Sequence, residues 1–133
     1  MRAQTPPESV HALDLNAYIS PGLHLWTVWR KDKLAGCGAL KDHGVLDGEH
    51  LGEIKTMRTK EIFLRQGVAD TVLSTIVAFA KKQGIQRLSL ETGKTEHFQA
   101  AQLFYERKGF QITEPFAHYK LDPHSVFYTI HIG

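Results

Sequence analysis

A chain of 133 residues and 15.0 kDa suits one globular domain and leaves little room for a second. Apolar residues make up 42% and charged residues 23%, the balance of a folded rather than a disordered protein. The formal charge of +2, from 16 basic and 14 acidic residues, is too even for a chain built around a polyanion, so nucleic acid is not an expected partner.

The opening MRAQTPPESV carries one arginine and no apolar run, so no signal peptide is expected. Pro6 and Pro7 read as the first turn of a short helix over 6–17, where a missing N–H costs little. Residues 24–30 and 34–40 are β-like runs joined by Lys31-Asp32-Lys33, which reads as an antiparallel hairpin. Of Trp26 and Trp29, one is expected in the core and the other on an acceptor side or a subunit contact. Cys37, the only cysteine, sits in the second run as GCGAL and reads as a small core residue. A single thiol also excludes an intrachain disulfide framework. The polar stretch 41–49 reads as a loop, and 51–59 (LGEIKTMRT) as a third strand.

From Gly67 the period changes. Val68, Val72, Leu73, Ile76, Val77 and Ala80 recur at helical spacing. Lys81 and Lys82 fall in the last turn, where cations meet the negative end of the helix dipole, and Gly84 ends the helix. Residues 85–91 read as a strand and 97–108 as a second helix ending at Gly109. Residues 110–112 and 125–132 close the chain as antiparallel strands. The β–α–β–α–β order places parallel pairing at the centre and antiparallel ribbons at the ends, an α/β (α+β) class. No apolar run approaches the roughly 18 residues that span a membrane. The expectation is a cytoplasmic single domain over 1–133 with no membrane partner.

The segment FLRQGVAD, at positions 63–70, lies between a strand and the start of the strong helix. A glycine there lets backbone approach a ligand, and a helix start offers free N–H groups and positive dipole. Arg65 adds a cation. Such a corner suits a phosphate, although an Arg-x-Gly at a helix start is also an ordinary turn. Eight histidines, at 11, 24, 43, 50, 97, 118, 124 and 131, show neither i, i+4 nor His-x-His spacing, so no metal is expected.

The order GEIKTM, RQGVA opening a helix, LSLETG and AAQLFYERKGF resembles the GNAT superfamily of acyl-CoA N-acyltransferases, over about residues 26–132. The resemblance implies a GNAT fold, a mixed central sheet with splayed parallel strands flanked by helices. The family's usual first strand and helix are expected to be missing here, either because the true start differs from Met1 or because the domain is shortened. It implies acetyl-CoA as cosubstrate, with the pyrophosphate cradled by backbone of Arg65, Gln66, Gly67, Val68, Ala69 and Asp70. The family's leading Gln/Arg falls on Leu64, so either Arg65 supplies that contact or the contact is absent. Met57, Arg58 and Thr59 would hydrogen-bond the pantetheine arm like an added strand, and the Met57 N–H would polarise the thioester.

Acyl transfer to an amine needs a proton acceptor for the nucleophile and a donor for the departing thiolate. By resemblance Tyr105 is the donor; read without it, Tyr105 is a core tyrosine beside Ala101 and Phe104. Glu53, eleven residues before Leu64, is the base acting directly or through water, or else a charge paired with Lys55 or Arg58. Glu91 is the reserve base. His118 and Tyr119 lie where the family builds its acceptor pocket, or are solvated loop residues. The implied reaction is direct attack of a small-molecule or peptide amine on acetyl-CoA, since Cys37 lies away from the splay. The alternative is a non-catalytic acyl-CoA-binding or scaffold module of the same fold. A domain lacking the first strand and helix would leave apolar surface uncovered, and a homodimer is the expected cover.

Overall fold

The structure is a computed structural model, and it describes residues 8–14 and 21–133. Its strands are β1 (Glu8–Asp14), β2 (Leu23–Arg30), β3 (Lys33–Leu46), β4 (Glu49–Thr59), β5 (Arg87–Gly93), β6 (Gln111–Thr113) and β7 (Ser125–His131). The helices are α1 (Val68–Lys82) and α2 (Gln99–Arg107). Hydrogen-bonded neighbours run in the order β1-β2-β3-β4-β5-β7-β6, a mixed sheet in which β4 and β5 pair in parallel, as the GNAT resemblance implies.

Two expectations are corrected. The helix expected over 6–17 is, in its described part, the strand β1, antiparallel to β2 from Glu8↔Arg30 to Asp14↔His24. Ladder pairing with β2 satisfies these backbone groups and outweighs the local proline signal. The remaining positions of that stretch lie outside the described residues. The loop expected over 41–49 is also strand: β3 runs on to Leu46 and turns into β4 through Asp47-Gly48. Both turn residues have positive φ, 51° and 81°, the backbone of a type I′ hairpin that Asp-Gly favours.

The chain clusters into two compact units. One comprises residues up to Lys41 together with Lys55–Phe79; the other comprises Asp42–Ile54 and Ala80–Gly133. In the first, α1 buries Val68, Val72, Leu73 and Ile76, the stripe its period announces, while Trp26 and Val28 are buried on β2. Phe79 packs edge-on against Trp26 at 5.0 Å between ring centroids. Trp29 is half-buried and donates from Nε1 to Thr27 Oγ1 at 3.0 Å. The helix lies close on β3 because Gly36 and Gly38 have no side chains. A Cβ on Gly36 would stand 2.7 Å from both Arg58 O and Val68 Cγ1, and one on Gly38 only 2.4 Å from Val72 Cγ1. Neither a backbone oxygen nor a stiff β-branched side chain yields easily. Gly36→Ala is therefore expected to destabilise the protein by about 1–3 kcal/mol, the range for overpacking, read as a lower midpoint in urea unfolding.

In the second unit Ile85, Leu88, Leu90, Phe110, Phe127 and Tyr128 are buried. Strand β7 is antiparallel to β5 from Arg87↔His131 to Gly93↔Ser125 and carries β6 on its other side. Gly84 and Gly109, at φ 81° and 95°, end α1 and α2 as the sequence suggests. The parallel ladder between β4 and β5 covers Leu51↔Arg87, Gly52↔Leu88 and Glu53↔Ser89. Among the described residues no pair of that ladder includes Met57, Arg58 or Thr59.

Candidate active site

In the first unit the chain leaves β4, makes a 3-10 turn at Glu61–Phe63 and reaches α1 through Leu64, Arg65, Gln66 and Gly67. Arg65 and Gly67 both have positive φ, 62° and 81°. For Arg65 this left-handed backbone is uncommon and costs free energy, so the loop shape is imposed by its surroundings. A clamp is visible. The Arg30 guanidinium donates from Nη2 to the Gln66 carbonyl at 2.6 Å and from Nη1 to Gln66 Oε1, and Gln66 Nε2 donates to Ile62 O at 3.1 Å. Arg30 also sits 5.9 Å from the Phe63 ring centroid.

The first intrahelical bond here runs from Thr71 N–H to Gly67 O at 3.0 Å, and the Thr71 hydroxyl donates to the same oxygen at 3.1 Å. Val68, Ala69 and Asp70 occupy the first turn, whose N–H groups have no partner within a helix. Apart from its chain neighbours, no described residue lies within 4 Å of a Cβ built on Gly67. The loop thus joins an open glycine to the positive end of the helix dipole, with Arg65 in its sequence and Arg30 bonded to Gln66, which suits an anionic ligand.

In the second unit the central feature is Glu53. It is 3% exposed, one of two buried polar residues among those described, the other being Ser89. Its Oε1 is 2.9 Å from His43 Nε2, and its Oε2 accepts from the Tyr119 hydroxyl at 2.6 Å. Tyr119 packs with Leu51, Phe116 and Phe127, and His118 stacks on the Tyr119 ring at 4.7 Å. A cavity of about 750 Å³ adjoins this group, lined by His43, Arg87, Phe116 and His118 among others.

Tyr105 is 6% exposed, with ring centroids 5.3 Å from those of Phe104 and Phe110. Burial pushes its phenol well above the ordinary value. Its hydroxyl makes no hydrogen bond to a described residue. Glu91 is exposed and accepts from Ser125 Oγ at 2.6 Å. Met57 is half-buried, with its sulfur 3.4 Å from a Cβ built on Gly38; Arg58 is exposed and Thr59 half-buried. Cys37 is half-buried. Among the described residues no group of three His, Cys, Asp or Glu side chains is placed to hold a metal ion, and no helix is long and apolar enough to cross a membrane.

The model of the Acetyltransferase (GNAT) family matches residues 2–110. The chain belongs to this family. It is 52% identical over 129 residues to the Bacillus subtilis (strain 168) protein called Uncharacterized N-acetyltransferase YsnE, covering 97% of this chain and 83% of that one. The fold is shared with a crystal structure from Klebsiella pneumoniae subsp. pneumoniae MGH 78578, named as an acyl-CoA N-acyltransferase: TM-score 0.79, 24% identity, 95% of this chain and 98% of that one. It is also shared with a GNAT family acetyltransferase of Elizabethkingia anophelis with acetyl-CoA bound, at TM-score 0.70 and 19% identity over 93% and 97% of the two chains. The protein is an acyltransferase of the GNAT family.

Two side chains escape a reading of the sequence. Arg30 ends a hairpin strand 36 positions before the loop it clamps, and nothing local marks it. His43 falls in the stretch taken for a loop. Recognising Asp47-Gly48 as a hairpin turn would fold His43 back beside β4 and expose it as a neighbour of Glu53. Tyr119, by contrast, does join Glu53 through its hydroxyl, with His118 stacked on its ring, whereas Glu91, in the same unit, bonds Ser125.

Proposed function

We propose that this GNAT chain transfers an acetyl group from acetyl-CoA to a primary amine by direct attack, acting as one N-acetyltransferase domain over 1–133. The open space over Gly67 carries the reading. A left-handed glycine at a helix start, with no described residue beyond its chain neighbours within 4 Å of its missing Cβ, fits the close approach of a pyrophosphate. Backbone N–H groups of the first helical turn would hold the phosphates, with Arg65 supplying charge at the position beside Leu64. Met57, Arg58 and Thr59 lie beyond the recorded ladder of β4 with β5, which supports backbone pairing to the pantetheine arm.

For the chemistry, the Tyr105 hydroxyl is the proton donor to the leaving thiolate. Its lack of a partner among the described residues and its raised pKa both favour a protonated, available phenol. The buried Glu53, with Tyr119 and His118 beside the cavity, forms the acceptor side, and Glu91 is the reserve base. Acetyl-CoA serves as cosubstrate and no metal is required. A cytoplasmic location and a homodimer belong to the same reading, and light scattering that gives a 15.0 kDa particle at micromolar concentration would remove the dimer.

The test is thermal unfolding with ligand. Acetyl-CoA at about 100 times its dissociation constant adds roughly 2.7 kcal/mol to the native state, a rise of several degrees in Tm. No shift at millimolar acetyl-CoA would overturn the coenzyme assignment. Thiol release over a panel of amines then separates an enzyme from a binding module: the module binds coenzyme and releases none above hydrolysis.

A further inference from the structure

We propose that His43, and not Glu53, takes the proton from the attacking amine, with Glu53 and Tyr119 holding the imidazole in place. This rests on the acetyl transfer proposed above. The Glu53 side chain is 4% exposed and both its oxygens are occupied, Oε1 by His43 Nε2 at 2.9 Å and Oε2 by the Tyr119 hydroxyl at 2.6 Å. A carboxylate so enclosed does not meet a substrate. His43 does: it lines the cavity of about 750 Å³, and 13% of its side chain is exposed.

The chemistry of the donors fixes the tautomer. An ionised carboxylate only accepts, so with Glu53 in that form Nε2 carries the hydrogen and Nδ1 is left with a lone pair. Nδ1 has no hydrogen bond to a described residue. Tyr119 donates to the far oxygen and keeps the carboxylate from turning, and the Tyr119 ring is itself wedged against Phe116 and Phe127, at 5.1 and 5.9 Å between centroids. The arrangement is that of a base oriented by a third group. Other ionisable groups around the cavity are Asp47, Glu49, Arg87, Glu114 and His118. Glu49 and Arg87 pair with each other at 3.2 Å.

In the step itself the amine nitrogen forms its bond to the thioester carbonyl carbon, and its surplus proton passes to His43 Nδ1. The resulting imidazolium is stabilised by Glu53. The C–S bond then breaks with its electron pair on sulfur, and the thiolate takes the Tyr105 proton. Solvent collects the proton from His43 and returns one to Tyr105.

The experiment compares the wild-type chain with His43→Ala, His43→Gln and Glu53→Gln, using the amine that gives the fastest thiol release. Both His43 variants are expected to lose about 10²–10⁴ in kcat, the usual worth of a general base, while keeping the thermal shift given by acetyl-CoA. Added imidazole is expected to restore at least about tenfold in His43→Ala, where truncation leaves room for it, and nothing in His43→Gln or Glu53→Gln. Rescue separates a proton acceptor from a structural histidine. Wild-type kcat in a folded His43 variant, or a folded His43→Ala that imidazole does not rescue, overturns the assignment. If His43→Ala fails to fold, His43→Gln decides by its kcat alone. If the wild-type chain binds acetyl-CoA and acetylates no amine, acetyl transfer itself falls, and the role of His43 falls with it.

Discussion

Replacing Tyr105 with phenylalanine is expected to lower turnover by about 10²–10⁴ while leaving the protein folded and the coenzyme bound. The ring is held between Phe104 and Phe110, and phenylalanine fills the same volume. The hydroxyl has no protein partner among the described residues, so its loss leaves none there without its bond. Thermal stability at neutral pH should therefore stay close to wild type. Burial pushes the phenol upward, so the acid remains protonated throughout the neutral and mildly alkaline range. The kinetic deficit should accordingly be flat with pH there. The sign is the same for stability: a raised pKa gives a contribution that is whole below the unfolded phenol's pKa of about 10 and is lost as pH climbs beyond it. Tyr105→Phe should hence lose less stability than wild type in strongly alkaline solution. Wild-type kcat in Tyr105→Phe with a competent amine would remove the residue from the reaction.

Gly67→Val is expected to abolish the rise in Tm given by acetyl-CoA. Two effects act together. At φ 81° a β-branched residue is strained, by roughly 1–2 kcal/mol or more. Its methyl groups would also fill the open space that the pyrophosphate is to occupy. The first effect lowers Tm without ligand; the second removes the difference between the two melts, so a pair of melts tells them apart. Arg65→Ala should weaken binding without abolishing it, because the backbone of the nest remains. Full affinity in Gly67→Val would take the loop out of the coenzyme site.

What was legible in the sequence was local. Helix α1 announced itself through Val68, Val72, Leu73 and Ile76 and through its Lys81-Lys82 end, because period and capping are properties of neighbouring residues. The loop before it was readable for the same reason. The β3–β4 hairpin was written just as locally in Asp47-Gly48, but Lys41, Asp42 and His43 broke the apolar alternation that marks a strand. Those polar residues are accommodated by separate partners: Lys41 Nζ donates to Pro21 O at 2.7 Å, Asp42 Oδ1 accepts from the Gly44 N–H and lies 2.8 Å from His50 Nε2, and His43 Nε2 lies 2.9 Å from Glu53 Oε1. The strand β1 was hidden because its pairing with β2 is tertiary. The enclosure of Glu53 was hidden for the same cause, since its partners stand 10 and 66 positions away. Family resemblance pointed to Glu53 and Tyr119 separately; only the fold joins them through a shared carboxylate.

The bare tripeptide Gly36-Cys37-Gly38 has a consequence for how this protein is free to vary. Successive strand residues face opposite ways, so Gly36 and Gly38 point toward α1 while Cys37 points away. A saturation library across this stretch should therefore return a comb. Positions 36 and 38 would lose stability with every side chain, even alanine, and the tooth between them would accept small residues in place of the thiol. Truncating Val72 would ease the contact at position 38, but at position 36 the Arg58 carbonyl remains, which no side-chain change on α1 removes. The spacing of helix from strand is thus locked by an absence of atoms, which drift in single steps does not undo.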